Sequence, residues 1–453
     1  MIKSKLKEIV KQKIGISKIQ NELDILKYRL DQTLNELNNL KKNTEEQTID
    51  FFNKITTLRI KNKLKNKEKI NIIFFVLHNS VWQYENLYKK FSNDKRYNPT
   101  IVVVPYINYE KNVMIKEMKQ TFLYFKNKNY NIIKSYDNKN NLYVDIKTKL
   151  QPDIVFFTNP HKITTDDFYI YNYFKDTLTC YVPYGIMAAN LQQTQFNQPF
   201  HNLTWKNFYE TNIHLELAKK YADNKGTNVL VTGYPKCDVF LDKKYKNKNV
   251  WKKTGKNLKK IIWAPHHTIE GDEKELGYSN FLKYHQIMLD VAQKYQDKIQ
   301  IAFKPHPLLL TKLKLHPGWG EKKTKLYYRI WQHRKNTQLE LDEYSDLFLS
   351  SDGIIMDSIS FISEYLFVNK PALFMEKDNT ISNKFNEFGL LTYNLLYKSQ
   401  TKKGLINFIE KIILKENDDK KKQREEFLNQ YLIPPNDHTA TDNIFYYIND
   451  YLK

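Results

Sequence analysis

Three polar clusters in the second half of the chain each accompany a short apolar run that predicts a buried strand. Trp-Ala-Pro-His-His-Thr overlaps and follows the run ending near Ile262, Lys-Pro-His-Pro follows Phe303, and Met-Asp-Ser-Ile-Ser follows the run that begins at Gly353. Parallel strands have their carboxyl ends at one edge of a sheet, so the three clusters should converge there. Histidine, lysine and hydroxyl groups beside a helix N-terminus can bind and neutralise phosphate. The spacing therefore predicts a phosphate-binding crevice.

The stretch 351–365 is the densest of these clusters. It predicts a strand over 353–356, a turn rich in capping residues over 357–360, and a helix that begins at 361. The free N–H groups at a helix start suit phosphate, although an ordinary N-cap would use the same residues.

A nucleotide leaving group needs its growing negative charge met by donors that are already in place. Lys304, His306 and Ser360 could supply these donors, and Glu364, four residues after Ser360, could accept from ribose hydroxyls. Each residue also has a purely structural interpretation, since a single histidine is often inert and an acid often only faces solvent. The functional interpretation depends on the clusters occurring together.

Strands and helices that alternate along the chain would position these clusters. Apolar runs are continuous rather than alternating, which favours parallel sheets covered by helices. We therefore predict an α/β protein with two doubly wound Rossmann-like domains facing a cleft, preceded by an N-terminal coiled-coil-like helix. The predicted segments are a basic coiled-coil helix (1–45), a basic linker (46–69), an N-terminal α/β domain (70–240), an interdomain linker (241–259) and a C-terminal α/β domain with closing helices (260–453).

The N-terminal helix is predicted from apolar residues in 4-3 spacing between Ile9 and Leu40, interrupted at Gln12 and Thr33. Self-association into a homo-oligomer is one interpretation, and packing on the helix's own domain is the other. Residues 1–19 are basic and amphipathic, so binding to an anionic membrane surface is a second predicted role.

Composition limits the class of protein. The net charge of +22 calls for an anionic partner, although a Lys-rich and Asn-rich composition could carry charge without function. No nucleic-acid-binding motif is present, so we expect no nucleic acid. No apolar run approaches the roughly 18 residues of a membrane span, and no signal peptide is evident, so we predict a cytoplasmic protein. Cys180 and Cys237 are too few for a disulfide framework or a CxxC metal site, and we expect no metal.

Four motifs occur in order: Gly-Tyr-Pro-Lys-Cys-Asp at 233–238, Trp-Ala-Pro at 263–265, Lys-Pro-His-Pro at 304–307, and the stretch 351–365. Over about residues 180–380 the chain resembles the CDP-glycerol glycerophosphotransferase family, the teichoic-acid and capsule polymerase type with a GT-B fold. The resemblance implies that the C-terminal domain holds a CDP-activated polyol phosphate and that the acceptor approaches from the N-terminal domain.

Site residues follow partly from the clusters and partly from this resemblance. The predicted donor-binding residues are Pro265, His267, Lys304, Ser351, Asp352, Asp357, Ser358, Ser360 and Glu364, and the predicted catalytic residues are Tyr184, His266 and His306. The family commonly carries a His-Gly step where this chain has Tyr184 and Gly185, so Tyr184 replaces the presumed base. His161, His201 and His266 are the other candidates for that role, and the sequence does not choose among them.

The resemblance implies a transferase that moves glycerol phosphate or a related polyol phosphate from a CDP-activated donor to a surface polysaccharide or lipid-linked glycan, an anionic acceptor. It would need no cofactor and would work peripherally on the inner face of the plasma membrane. Two alternatives remain open: a GT-B glycosyltransferase that uses a nucleotide sugar, and a catalytically inactive scaffold of the same fold.

Overall fold

A computed structural model describes residues 2–65, 67–269, 277–341, 343–359 and 361–453. The chain divides into two units, residues 1–56 and residues 57–453. Within the described residues, no helix combines the length and the apolar character needed to cross a membrane.

Helix α1 (Ile2–Leu64) makes up nearly all of the first unit and continues into the second. The predicted linker at 46–69 is therefore wrong over 46–64, where the helix continues. Its last turns carry Ile60 and Leu64, which are buried in the core beside the first sheet. Burial of these two side chains explains why a lysine-rich segment stays helical.

The first sheet has seven parallel strands in the order β3-β2-β1-β6-β7-β8-β9. Strands β4 and β5 form a separate antiparallel pair. The bounds are β1 (Ile70–Val76), β2 (Tyr97–Val103), β3 (Ile132–Lys134), β4 (Tyr136–Asp137), β5 (Leu142–Tyr143), β6 (Ile154–Phe157), β7 (Leu178–Tyr181), β8 (Lys206–Tyr209) and β9 (Val229–Val231).

The second sheet has six parallel strands in the order β12-β11-β10-β13-β14-β15. The bounds are β10 (Lys259–Ala264), β11 (Ile299–Phe303), β12 (Thr337–Leu339), β13 (Gly353–Met356), β14 (Ala372–Met375) and β15 (Tyr397–Ser399). Its four inner strands, β11, β10, β13 and β14, are almost wholly buried, as expected when helices cover both faces. Two parallel α/β sheets confirm the predicted fold class.

Helices connect the strands and close the chain. They are α2 (Glu85–Ser92), α3 (Lys111–Asn127), α4 (Ile146–Leu150), α5 (Gln192–Phe196), α6 (Pro199–Leu203), α7 (Asn212–Tyr221), α8 (Asp238–Leu241), α9 (Phe281–Lys294), α10 (Pro307–Leu315), α11 (Gly320–His333), α12 (Ser345–Ser350), α13 (Phe361–Glu364), α14 (Glu387–Asn394), α15 (Lys402–Asn407), α16 (Lys421–Phe427) and α17 (Ala440–Leu452). Helices α15 and α16 each continue into a π-helical turn.

The last helix packs on the first sheet's domain, not on the second. The Phe445 ring on α17 lies 5.3 Å from the Phe91 ring on α2, measured between centroids. The Asp238 carboxylate accepts the N–H groups of Ala440 (2.8 Å) and Thr441 (3.0 Å) at the start of α17. The predicted assignment of 260–453 to one domain is thus corrected, because the closing helix returns to the first.

Segments beyond the carboxyl ends of both sheets meet. Ala189, after β7, forms a β-bridge with Phe385, after β14. The Asn386 side chain donates to the Met187 carbonyl at 2.9 Å. These contacts place the two carboxyl edges on the same side of the second unit, where ligands of doubly wound sheets bind.

Candidate functional site

Three histidines meet at the carboxyl edge of the second sheet. His266 and His267 follow β10, and His306 follows the neighbouring strand β11. The ring centroids of His267 lie 4.2 Å from those of both His266 and His306, and His266 and His306 are 5.1 Å apart. The structure therefore brings together the residues of two of the predicted polar clusters.

His306 is fixed as the N-cap of α10. Its Nδ1 accepts the Leu308 N–H at 3.2 Å, and its own backbone N–H donates to the Pro265 carbonyl at 3.0 Å. A neutral imidazole that accepts at Nδ1 carries its proton at Nε2. Burial, with a further contribution from His267 and Lys304, lowers the pKa of His306 to about 3, so the ring is neutral at pH 7. His306 thus presents an Nε2–H donor.

His266 and His267 are also neutral, because burial lowers the pKa of His266 well below its usual value and that of His267 to about 4. His266 Nδ1 accepts the Thr268 N–H at 3.3 Å and lies 3.0 Å from Thr268 Oγ1. His267 Nδ1 is buried and has no hydrogen-bond partner in the described part of the protein. A buried polar atom of this kind is expected to find a partner when a polar ligand arrives.

A metal ion is the obvious alternative ligand, since ring nitrogens of the three histidines lie within 4.8 Å of one another. A histidine that binds a metal usually donates its other ring N–H to an acceptor, which fixes the tautomer. His306 does the opposite, because its Nδ1 accepts from Leu308. The cluster therefore fits an anion better than a cation.

Asp357 positions this cluster and does not face the crevice. Its carboxylate accepts the backbone N–H of His266 at 2.6 Å and that of Asn280, and only 4% of the residue is exposed. Burial raises the pKa of Asp357 to about 7. Its neighbour Ser358 is buried as well, and Ser360 lies outside the described residues. Asp357, predicted to contact the donor, instead fixes the loop that carries His266.

Ser351 and Asp352 were also predicted to contact the donor, and the structure contradicts this. Both precede β13, so they lie at the amino edge of the sheet, about 13 Å from its carboxyl edge. The Asp352 carboxylate accepts the Lys260 N–H at 2.7 Å, and Ser351 Oγ lies 2.8 Å from the Tyr365 hydroxyl. These contacts hold the strand start in place.

Glu364 lies in a buried polar group that joins the two domains. The Tyr344 hydroxyl donates to its carboxylate, and Lys236 from the 233–238 motif interacts with it electrostatically. Burial is the main cause that raises the pKa of Glu364. The Tyr234 hydroxyl is buried without a hydrogen-bond partner among the described residues, and it interacts electrostatically with both Glu364 and Glu210. The predicted site residue Glu364 is thus present but fully enclosed.

Glu210 is a buried acid at a strand end of the first sheet that the sequence analysis did not consider. It directly follows β8, so the pattern of polar residues at strand ends could have found it. Its Oε1 accepts the Met187 N–H at 3.2 Å, and His214 Nδ1 lies 3.6 Å from its Oε2. Oε2 is buried and has no hydrogen-bond partner in the part of the chain that the structure describes. Burial raises the pKa of Glu210 to about 8 and lowers that of His214 to about 4.

Two aromatic side chains occupy neighbouring strand ends of the first sheet. Tyr184 follows β7 and is 43% exposed, and His161 follows β6, with 6.2 Å between the ring centroids. His161 Nδ1 lies 2.7 Å from Gln198 Nε2, and burial lowers the pKa of His161. His201, by contrast, is 2% exposed with a pKa lowered by burial to about 3. A substrate can therefore reach His161 and Tyr184 but not His201.

The structure is thus an α/β fold of two parallel sheets, with a cluster of three histidines at the carboxyl edge of the second sheet. Residues 188–449, more than half of the chain, match CDP-Glycerol:Poly(glycerophosphate) glycerophosphotransferase, and the chain belongs to that family.

Known proteins give the same fold. The chain is 25% identical over 190 residues to the teichoic acid poly(ribitol-phosphate) polymerase of Bacillus spizizenii, a match that covers 39% of this chain but only 28% of that protein. The wall teichoic acid polymerase TagF superposes with a TM-score of 0.53 at 14% identity, covering 92% of this chain and 97% of TagF. MnaA of S. aureus, in a co-structure with UDP, gives 0.53 at 15% identity, covering 84% and 97%. The chain therefore has the GT-B fold that the sequence predicts.

Proposed function

We propose that the chain transfers glycerol phosphate, or a related polyol phosphate, from a CDP-activated donor to a surface polysaccharide or lipid-linked glycan. Membership of the glycerophosphotransferase family supports the donor class. The observation that carries the proposal is the His266–His267–His306 cluster, in which His306 is held as an Nε2–H donor beside Lys304. Such donors are suited to the diphosphate of a nucleotide.

In the proposed reaction, an acceptor hydroxyl loses its proton to a base and its oxygen attacks the donor's β-phosphorus. The bond from that phosphorus to the oxygen bridging to CMP breaks, and CMP leaves with the electron pair. The N–H donors of the histidine cluster meet the charge that grows on departing CMP.

We assign the base to His161. Its ring is half-buried and neutral, and it lies at a strand end of the acceptor-side sheet next to Tyr184. It acts as a base at Nε2 when the Gln198 amide turns its oxygen toward Nδ1–H, because a neutral imidazole has one acceptor nitrogen. Desolvation raises the pKa of Tyr184, so this phenol is a poor base at neutral pH and serves better to position the acceptor. His266 is a weaker candidate because only 4% of the residue is exposed.

The product of turnover tests the proposed reaction. With CDP-glycerol and a polyol-phosphate acceptor, the protein should release CMP. Release of CDP or UDP from a nucleotide-sugar panel would instead indicate glycosyl transfer, and binding without turnover would indicate an inactive scaffold.

The base assignment is tested by His161→Ala, which should lower kcat by about 100-fold or more with little change in donor affinity. His333→Ala, at the exposed end of α11, is the matched control and should leave kcat unchanged. A Tyr184→Phe variant that loses as much activity as His161→Ala would overturn the assignment.

We also propose that the basic N-terminal segment attaches the protein to the anionic inner face of the plasma membrane. Vesicles containing anionic lipid should sediment the full chain but not a variant that lacks residues 1–45. Equal sedimentation of both would refute this role for the segment.

A further inference from the structure

Helix α1 carries a continuous apolar seam that is exposed in the described structure. Ile19, Leu23, Leu26, Leu30 and Leu37 are each 46–62% exposed, and they follow one another at intervals of four and three residues, with Thr33 filling the next position. A helix of this length is not stabilised by its own hydrogen bonds alone, and most helices depend on packing of an apolar face. The seam therefore indicates a surface built to be covered.

The spacing assigns each residue to a heptad position. Heptad position a is occupied by Leu23, Leu30 and Leu37. Position d is occupied by Ile19, Leu26 and Thr33. Thr33 is the polar exception, and its Oγ1 donates to the Arg29 carbonyl at 2.9 Å. Because this hydroxyl is already satisfied within the helix, Thr33 can enter an apolar seam without leaving a buried donor unpaired.

Charges beside the seam show which partner fits. In a parallel, in-register coiled coil, the residue at heptad position g faces the residue at position e that lies five positions later on the other helix. Glu22 lies at g and Lys27 at e, which gives opposite charges across the seam on both sides. The sequence repeats this spacing at Glu36 and Lys41. A second copy of this helix therefore complements the first in both apolar and charged positions.

We propose that residues 19–40 of two copies of this chain form a parallel, in-register, two-stranded coiled coil. We choose two strands over three or four because higher assemblies bury more of the e and g positions, where Glu22, Lys27 and Arg29 are charged. Leu34 is the apolar exception at position e and would extend the seam on one side. The proposal is independent of the transferase function, since it rests only on α1.

Sedimentation of the full chain tests the association. The wild-type protein should have twice the 54.4 kDa mass of one chain. Leu30→Asp should raise the dissociation constant of the dimer by about 100-fold or more, because a charge replaces a buried leucine in each strand. Tyr28→Asp, at the outward f position and 65% exposed in the wild type, is the matched control and should remain dimeric. A monomeric wild type, or a mass of three or four chains, overturns the proposal.

Charge exchange tests the direction of the strands. Glu22→Lys and Lys27→Glu should each weaken the dimer by about 10-fold, and the double variant should recover wild-type affinity. Oxidation of Leu30→Cys should give a covalent dimer, because the two copies of residue 30, both at heptad position a, face each other in a parallel in-register coil. Cys180 and Cys237 are buried and do not compete. No recovery in the double variant together with no cross-link would overturn the parallel register.

Discussion

Substitution of His306 separates two roles that the structure gives to one side chain. Its Nδ1 caps α10 by accepting the Leu308 N–H, and its Nε2–H is presented to the proposed diphosphate. Asparagine is also a good N-cap, and its side-chain oxygen can accept the same N–H group. His306→Asn should therefore keep the cap and lose the donor to phosphate, whereas His306→Ala should lose both.

The expected sizes follow from these contacts. A hydrogen bond to a charged group contributes about 1.5–3 kcal/mol, so either substitution should weaken CDP binding by about 10-fold to 150-fold. Loss of the N-cap costs about 1 kcal/mol of folding free energy, which applies to His306→Ala but not to His306→Asn. The two variants should thus bind CDP equally poorly and differ in stability.

Calorimetric titration with CDP and with CDP-glycerol measures affinity, and denaturant unfolding measures stability. His316→Asn is the matched control, because His316 lies at the other end of α10 and its Nδ1 similarly accepts a backbone N–H, from Gly318. The control should bind CDP like the wild type. If His306→Asn binds CDP within twofold of the wild type, the assignment of the histidine cluster to the diphosphate is wrong.

Three further outcomes are expected. Asp357→Ala should lower the free energy of unfolding by about 2–5 kcal/mol, measured in denaturant, because two buried N–H groups lose their acceptor. Ser351→Ala should leave the calorimetric CDP affinity unchanged, since Ser351 lies at the opposite edge of the sheet. Acid should destabilise the fold, because burial lowers the pKa values of His267 and His306 to about 4 and about 3 in the folded protein. In the unfolded chain these histidines bind protons already as the pH falls below about 6.5, whereas in the folded protein they stay neutral. Each should contribute a loss of up to about 2 kcal/mol between pH 6.5 and 5, and unfolding of His306→Asn should show a smaller loss.

The strand-end pattern was enough to predict which side chains lie together, because polar residues that follow parallel strands share one edge of the sheet. His266, His267 and His306 were found this way, and the same rule applied to the first sheet would have found Glu210. Ser351 and Asp352 were assigned through motif resemblance alone. Their place before β13 already contradicted a contact at its carboxyl edge.

Long-range packing explains what the sequence could not predict. The seam of α1 is a local pattern, but the continuation of the helix to Leu64 depends on burial of Ile60 and Leu64 in a core formed by distant strands. The return of α17 to the first domain likewise depends on Asp238, more than 200 residues earlier in the chain. Neither the burial of Ile60 and Leu64 nor the Asp238 hydrogen bonds can be recognised from the hydrophobic periodicity of the helix concerned.

Burial sets the charge of the site more than composition does. At neutral pH the three histidines of the cluster are uncharged, because burial lowers the pKa of each. Burial shifts the pKa values of two nearby acids upward: that of Glu210 rises to about 8, and that of Glu364 rises above its usual value. Neutral Glu210 therefore does not repel an anion at pH 7, while the N–H donors of the histidines remain available. An arriving diphosphate would raise the pKa values of His267 and His306 from about 4 and about 3, so donor binding at acidic pH should be accompanied by proton uptake.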